Sequence, residues 1–437
     1  MALSKSPYRG TRDFFPEQMR LRNYIFKKMA EVSELFAYEP YDGPILEEVD
    51  LYFAKSGEEL INEQIYSFVD RGDRRVAIRP EMTPTVARMA AQVHREIAKP
   101  IRWYAIPNLM RYEKPQRGRL REFWQYNADI FGADELGDIE IIQLAVDILK
   151  SFGATHQHFE ILINDRRVVD LIFKKLFKLD DVSSQKLYKI VDKNKKVTEE
   201  ALVKMTAEVI SDPATATLFS QYLQLTSFSD LQAYLEKNGL AADAAQFLAF
   251  SKRLEQFGLN VYVRFDPSIV RGLDYYTGVV FEIFDKHPDN RRAIAGGGAY
   301  ANLLQIFNES PLAGVGFGLG EVPLTEFLKS HNLVKDFSRP EIDVLISYQV
   351  PEGEPVALTL AEQMRSRKIK VEVAFGETKS KKVFSLSEKK NFRNVILIGE
   401  DEMKNREVQI KTLETRETQN VELQDMEKIA RILKGLN

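Results

Sequence analysis

Apolar residues at helical spacing open the chain. Between 17 and 36, Leu21, Tyr24, Ile25, Met29, Val32 and Phe36 recur on one face, which predicts a single long amphipathic helix. Pro40, Gly43 and Pro44 then break any helix. Short runs at 64–69 and 75–78 suit strands, and 83–93 suits a helix. The segments 101–106 and 121–131 predict two strands around a polar turn at 113–119. Residues 1–165 therefore predict helices around an antiparallel sheet, an α+β layout.

From 166 to 255 the period changes. Segments 168–177, 184–191, 199–210, 214–223 and 231–250 are all helical in pattern, without a strand signal, and predict a helical insertion. Strand signals resume at 261–265 and 277–284, followed by glycine-rich stretches at 296–298 and 314–320. Segment 256–335 thus completes the first layout. After Arg339 and Pro340, strands at 342–346, 370–375, 392–398 and 408–413 alternate with helices at 357–366 and 425–433. That alternation predicts a separate α/β domain with a mixed sheet over 340–437.

Composition narrows the classes. The 437 residues are 44% hydrophobic and 29% charged, the mix of a soluble globular protein of roughly two to four domains. There is no cysteine, which excludes disulfides and thiolate metal sites. Only five histidines occur, two of them in the pair His156 and His158, so no protein-bound metal is expected. The first 16 residues carry no apolar run, and no stretch nears the roughly 18 apolar residues of a membrane span. A cytoplasmic location without a membrane partner is expected. The net charge of −3 lacks the cationic excess of many dedicated nucleic-acid binders, so any RNA contact must come from local basic patches.

Four stretches could carry chemistry. Between Arg111 and Arg121 lie five cations, Arg111, Lys114, Arg117, Arg119 and Arg121, against one acid, Glu113. Pro115 and Gly118 place some of them on a turn. Such a tip is either a phosphate clamp, since guanidinium forks match phosphate oxygens in pairs, or a solvated loop. Phe123, Trp124 and Tyr126 offer flat faces for a base, or a core. The stretch from Arg271 to Gly278, with Tyr275 and Tyr276, suits either close approach of a ligand or a tight connection with inward tyrosines. The run Gly296–Gly297–Gly298 lacks dinucleotide-loop spacing and has no P-loop lysine, which leaves a ligand surface or a flexible turn. The fourth stretch runs from Arg79 to Thr83. There Thr83 is expected as a helix N-cap with Pro84 at the first helical position, and Glu81 could face an amine.

In their order and spacing, these stretches resemble the class II histidyl-tRNA synthetases. Residues 10–16 are similar to that family's N-terminal signature, 41–47 to motif 1 of its dimer interface, and 111–129 to motif 2. Residues 271–277 and 296–300 are similar to its two histidine signatures. Any one motif is weak, whereas the ordered set is specific and spans essentially the whole chain. The resemblance implies a class II antiparallel-sheet catalytic core with a helical insertion and a C-terminal α/β anticodon-binding domain. It implies ATP-dependent ligation of L-histidine to tRNA(His) through a histidyl-adenylate, with Mg²⁺ arriving on ATP, in a homodimer. It assigns Arg111 and Arg271 to the two sides of the α-phosphate as the catalytic pair. Glu113 would read the adenine amino group, Phe123 would stack on the ring, and Arg121 would join them at ATP. Glu81, Thr83 and Gln125 would hold the amino group of histidine, while Asp129, Tyr275, Tyr276 and Tyr300 would surround its imidazole.

The chain also departs from that pattern. The family's motif 3 ends in an arginine on the γ-phosphate, and counting from Arg271 and Tyr300 puts Pro323 there. Ala299 and Ala301 stand where Arg and Asp usually flank the tyrosine, and Asp129 stands where Glu is usual. Either another cation (Arg119, Arg121, Arg291 or Arg292) replaces the clamp, or the chain is catalytically silent. The alternative function is a non-catalytic paralogue acting as a histidine-sensing regulatory subunit. Such relatives usually lack the C-terminal domain and an intact 271–276 stretch, both of which are present here. For RNA, Arg365, Arg367, Lys368 and Lys370, then Lys379, Lys381 and Lys382, offer basic clusters in the last domain. The lysines between 174 and 196 offer another in the insertion.

Overall fold

In the segment Gly314–Gly320 every second residue is glycine, and Val315, Phe317 and Leu319 between them are buried. Successive side chains leave a strand on opposite faces, so one face here is apolar and the other is bare backbone. The apolar face packs against the helix Glu135–Ser151, whose Gly137 lies where a Cβ would touch Val315 and Ile130. Asp134 caps that helix by accepting from the Leu136 amide, and Ile139, Ile142 and Leu149 are buried along it. Each such aliphatic side chain contributes about 1.5–3 kcal/mol when fully buried. The opposite, glycine-bare face is the one that carries the site.

The computed structural model describes residues 3–53, 63–116, 118–194, 197–270, 275–290, 292–338, 341–376 and 378–436. It divides into two units, Met1–Asp13 with Arg22–Val334, and Phe14–Leu21 with Lys335–Asn437. In the first unit the strands are β1 (Glu39–Pro40), β2 (Leu46–Glu48), β3 (Tyr66–Val69), β4 (Arg75–Ile78), β5 (Ile101–Ala105), β6 (Asn108–Met110), β7 (Glu122–Phe131), β8 (Phe159–Asp165), β9 (Val263–Phe265), β10 (Val279–Asp285), β11 (Ala293–Tyr300) and β12 (Gly314–Gly320). The main sheet runs β1-β5-β7-β12-β11-β10-β8-β9, with β6 added on β7. Its pairings are antiparallel except at the two edges, β1 with β5 and β8 with β9. Strands β2, β4 and β3 form a separate antiparallel sheet. The expected α+β core is present, and the helix Pro16–Leu35 matches the opening periodicity, with Ile25, Met29 and Val32 buried.

Three expectations are corrected. The glycine run 296–298 is the middle of β11, paired on both sides, rather than a turn. The helix expected at 231–250 is two helices, Phe228–Lys237 and Ala245–Gln256. Gly239 takes φ +70° after the first, a left-handed conformation that ends helices. The strand at 101–106 does not lead straight to the polar turn at 113–119: β6, Asn108–Met110, lies between them. Elsewhere in the insertion the helices Asp181–Lys193, Glu199–Ala207 and Pro213–Leu223 follow the pattern. Asp180, Thr198 and Asp212 each accept a hydrogen bond from the first turn. Among the described residues no strand interrupts this segment.

The second unit adds β13 (Ile342–Tyr348), β14 (Val371–Val373), β15 (Phe392–Ile398), β16 (Glu407–Thr412) and β17 (Thr418–Glu422), in the order β14-β13-β15-β16-β17. β13 is parallel to β14 and β15, and the remaining pairs are antiparallel, so the mixed sheet is as expected. Its core gathers Val344, Ile346, Leu360, Ile396, Ile410 and Ile429.

Candidate functional site

The site grows from cross-strand register. Gly314, Gly316, Gly318 and Gly320 of β12 lie opposite Phe131, Asp129, Asn127 and Gln125 of β7. On the other side, Gly316 and Gly318 lie opposite Gly298 and Gly296 of β11, and Gly314 lies opposite Tyr300. Directly opposite residues point to the same face, so these positions form one surface. A Cβ at Gly316 would fall on the Asp129 carboxylate, and one at Gly318 would fall on the Gln125 amide. At Gly314 and Gly298 it would fall on the rings of Tyr300 and Tyr276. The glycines thus leave room for polar side chains lying across the sheet.

A cavity of about 340 Å³ opens over one end of this surface. Arg111, Glu113, Phe123 and Gln125 line it together with Gly296 and Gly318, and so do Arg119, Arg292 and Pro323. The Arg111 Nε donates to the Pro80 carbonyl at 2.9 Å, and its guanidinium carbon lies 5.4 Å from the Phe123 ring centre. Glu113 is buried and ion-paired with Arg119. Gln125 Nε2 donates to Asn127 Oδ1 at 2.7 Å.

Farther along the same strands, Asp129 is buried, and the Tyr300 hydroxyl donates to its Oδ1 at 2.5 Å. Burial pushes the Asp129 carboxyl up to about 7, against the opposing pull of the Tyr300 hydrogen bond. Tyr300 is raised in turn by burial and then by the charge of Asp129. Tyr275 packs 4.7 Å from Tyr276 and edge-on to Tyr300 at 6.1 Å, within an apolar cluster that includes Val86, Phe131 and Val280. None of Asp129, Tyr276 and Tyr300 lines the cavity; they lie buried beyond Gln125 along the sheet.

The segment before the helix Thr83–Val93 is held by Arg79. This buried side chain donates to the Asp42 carboxylate at 2.7 Å and to the carbonyls of Gly43 and Asn108. Glu81, two residues on, is also buried. The expected Thr83 cap is not made: Met82 holds the N-cap position, without a side-chain cap bond, and Thr83 is the first helical residue.

Arg121 is not brought to the cavity. Its Nε donates to the Glu113 carbonyl at 3.1 Å and its Nη1 to the Tyr8 hydroxyl at 3.0 Å, while the guanidinium lies 4.1 Å from the Tyr112 ring centre. Its amide also donates to the Gly10 carbonyl at 2.8 Å, so this arginine fastens the segment that follows Tyr8. Arg271 and Arg291 lie outside the described residues.

Two neighbours escaped the sequence reading. Asn127 sits between Gln125 and Asp129 at the same period of two, a signal that was readable. Tyr41 is less so: its hydroxyl is buried, makes no hydrogen bond among the described residues, and is raised by burial and then by the charge of Asp129. Only the chain path, through the Tyr41 amide bonded to Tyr104, brings it there. Among the described residues no three His, Asp or Glu side chains are grouped to hold a metal, and no helix is long and apolar enough to cross a membrane.

Comparison with known proteins places this geometry. The family model described as Histidyl-tRNA synthetase matches residues 10–321, and the one described as Anticodon binding domain matches 343–432. A histidine–tRNA ligase of Leptospira biflexa is 43% identical over 418 residues, covering 95% of this chain and 94% of that protein. The chloroplastic/mitochondrial histidine–tRNA ligase of Arabidopsis thaliana is 36% identical over 425 residues, covering 97% and 86%. Among solved structures, the histidyl-tRNA synthetase from Nostoc sp. PCC 7120 superposes with a TM-score of 0.82 over 99% of this chain and 100% of that one. At 20% identity it speaks for the fold.

Proposed function

From the premise that the chain belongs to the histidyl-tRNA synthetase family, we propose that it activates L-histidine with ATP and transfers it to tRNA(His) through a histidyl-adenylate. One observation carries this reading. A cavity with Arg111 over Phe123 beside buried Glu113 continues along a glycine-bared sheet to the Asp129–Tyr300 pair.

The histidine carboxylate attacks the α-phosphorus of ATP, forming the mixed anhydride as the bond to pyrophosphate breaks. Both reactants are anionic, so their repulsion must be cancelled before they meet. Arg111 does so from one side and Arg271 from the other, with Mg²⁺ entering on the polyphosphate of the substrate. No side-chain nucleophile is required; positioning and charge stabilisation supply the acceleration. Glu113 accepts from the adenine amino group and Phe123 stacks on the ring. Glu81, Thr83 and Gln125 hold the α-amino group. Asp129, Tyr276 and Tyr300 take the imidazole, with Tyr275 packed behind them. A ribose hydroxyl of the terminal adenosine then attacks the adenylate carbonyl, forming the ester as the anhydride bond to phosphate breaks and AMP leaves, with the hydroxyl proton passing to a phosphate oxygen. An apolar analogue would offer buried Asp129 no N–H in place of the imidazole's, which supports discrimination of about 10⁴ without editing.

Exposed Ile45, Leu46, Phe68 and Val69 on and beside the sheet β2-β4-β3 support a homodimer through this face. The anticodon-binding match at 343–432 supports tRNA as a partner and weighs against a regulatory paralogue. A cytoplasmic location follows from the same reading. Histidine-dependent exchange of pyrophosphate into ATP tests it. Wild type should exchange, and Arg111→Ala should fall by about 10²–10³. Absence of exchange at saturating histidine and Mg²⁺ would sink the ligase reading.

A further inference from the structure

Pro323 has no charge and no side-chain donor, yet it lines the same cavity as Arg111 and Glu113. Among the described residues the other charged ones on that wall are Arg119 and Arg292, three guanidiniums against one carboxylate. We propose that Arg292, assisted by Arg119, grips the β- and γ-phosphates of ATP, taking the place of the arginine that Pro323 displaces. This proposal rests on the ATP-dependent reading above and names the residue that completes it.

Position is the first argument. Arg292 and Pro323 share the wall of the main cavity and also that of an adjoining pocket of about 170 Å³. Arg292 and position 323 therefore border the same space. Arg292 also packs against the hairpin turn. Gly118 has φ +73°, and the Arg292 Cδ lies 3.7 Å from where a Cβ there would stand. The side chain crosses the turn at contact distance.

Commitment is the second argument. Among the described residues no hydrogen bond or ion pair occupies the Arg292 guanidinium. Arg121 is fully engaged by Tyr8, Tyr112 and the Glu113 carbonyl. Of the described carboxylates lining the adjoining pocket, Asp285, Asp289 and Glu326, none is ion-paired with Arg292, and the oxygens of Asp285 are taken by His331 at 2.7 Å, Asn290 at 2.6 Å and the His287 amide.

Charge is the third. Burial and then the field of Arg119 lower the proton affinity of Arg292, with Glu113 alone opposing them. Arg119 is already paired with Glu113, and a polyanion entering the cavity would offset the repulsion that remains at Arg292. Planar forks suit the paired oxygens of a polyphosphate.

The test compares MgATP with AMP, which lacks both outer phosphates, by calorimetric binding to the full-length protein. Arg292→Ala should weaken MgATP about tenfold or more and leave AMP within twofold of wild type. Arg292→Lys should recover part of the loss, and Pro323→Arg added to Arg292→Ala should recover more. In pyrophosphate exchange, the KM for ATP and for pyrophosphate should both rise, while the KM for histidine stays. Transfer from preformed histidyl-adenylate to tRNA should keep its rate. Unchanged MgATP affinity in Arg292→Ala would overturn the proposal, and so would an equal loss of AMP, which marks a structural role. Binding is read apart from catalysis. A wild type that binds MgATP through Arg292 yet exchanges no pyrophosphate would refute the ligase reading and keep the clamp.

Discussion

At the end of the groove proposed to take the imidazole, Trp103, Asp129, Gly316 and Gly298 are successive cross-strand partners on four neighbouring strands. At the end proposed for the phosphates, Arg119 sits on the turn between β6 and β7 and Arg292 just ahead of β11. The first end is fixed by ladder register, where a shift of one residue would turn every side chain to the other face. The second is fixed only by reach. Recognition of an imidazole needs an acceptor at one point and in one orientation. A polyphosphate needs positive charge anywhere within a few ångströms, and long side chains can supply it from several places. Registered chemistry should therefore tolerate almost nothing, and reached chemistry should tolerate relocation, as the move from position 323 to Arg292 illustrates.

The largest effect should come from adding a single methyl group at the registered end. Gly316→Ala drives a Cβ into the Asp129 carboxylate and the Ala128 carbonyl, and backbone cannot move aside cheaply. Histidine activation should fall by about 10³, with a stability loss of about 1–3 kcal/mol by thermal melting. Activity within tenfold of wild type would mean that the strands slide to accommodate it, and the contrast between the two ends would weaken.

Next comes Asp129→Asn, which sharpens the comparison through pH. Burial raises the Asp129 carboxyl from 3.8 to about 7. Between those values the folded protein holds a proton that the unfolded chain releases. That stabilising contribution is complete below about 4 and is lost as pH rises through about 7. Asn carries no such titration, so the variant should be more stable than wild type at pH 8, by about 4 kcal/mol, and converge with it toward pH 4 in thermal melts. Activity should move the opposite way. The carboxylate forms above about 7, so wild-type kcat/KM for histidine should rise through that pH. The variant should lack this rise, keep only the titration of the substrate, and run about 10² lower. A variant as active as wild type at pH 8 would remove Asp129 from imidazole recognition.

A smaller effect is expected at Tyr41. Its buried hydroxyl finds no hydrogen-bond partner among the described residues, which costs stability in the empty protein. Tyr41→Phe should raise stability by up to about 1 kcal/mol and lower kcat/KM for histidine about threefold, if the hydroxyl turns to the ligand beside Asp129. Lost stability would show a bond that the apo arrangement does not contain.

What could be read beforehand follows the same division. The helix Pro16–Leu35 was legible because Ile25, Met29 and Val32 repeat at its period. Strand β12 was seen only as glycine-rich, although the apolar residues at 315, 317 and 319 state its two faces. The helix Ser380–Lys390 was invisible because only Val383 and Ser387 along it are buried, too few for a stripe. Residue type announced the cations between Arg111 and Arg121 but not their directions. Arg119 and Arg121 are two apart, yet one lines the cavity and the other clasps Tyr8. Strand periodicity predicts direction; a turn does not. Hence Asp129 and Tyr300, both on strands, come together as expected, and Arg121 does not.

The smallest expected effect is at Pro323, and it is the strictest test of the difference between the ends. Pro323 belongs to the first turn of the helix Glu321–Ser330, where its fixed φ fits and its missing N–H would have no helical partner. Its ring packs where a Cβ on Gly320 would lie, 2.8 Å from its Cγ. Replacing it with alanine removes no charge and no donor. Pro323→Ala should therefore cost at most about 1 kcal/mol of stability, through a looser unfolded chain, and leave the KM for ATP within twofold. If that KM instead rose as far as in Arg292→Ala, the phosphate end would depend on the backbone at 323 as closely as the imidazole end depends on Gly316. Both ends would then be registered, and relocation of the arginine would be no evidence of tolerance.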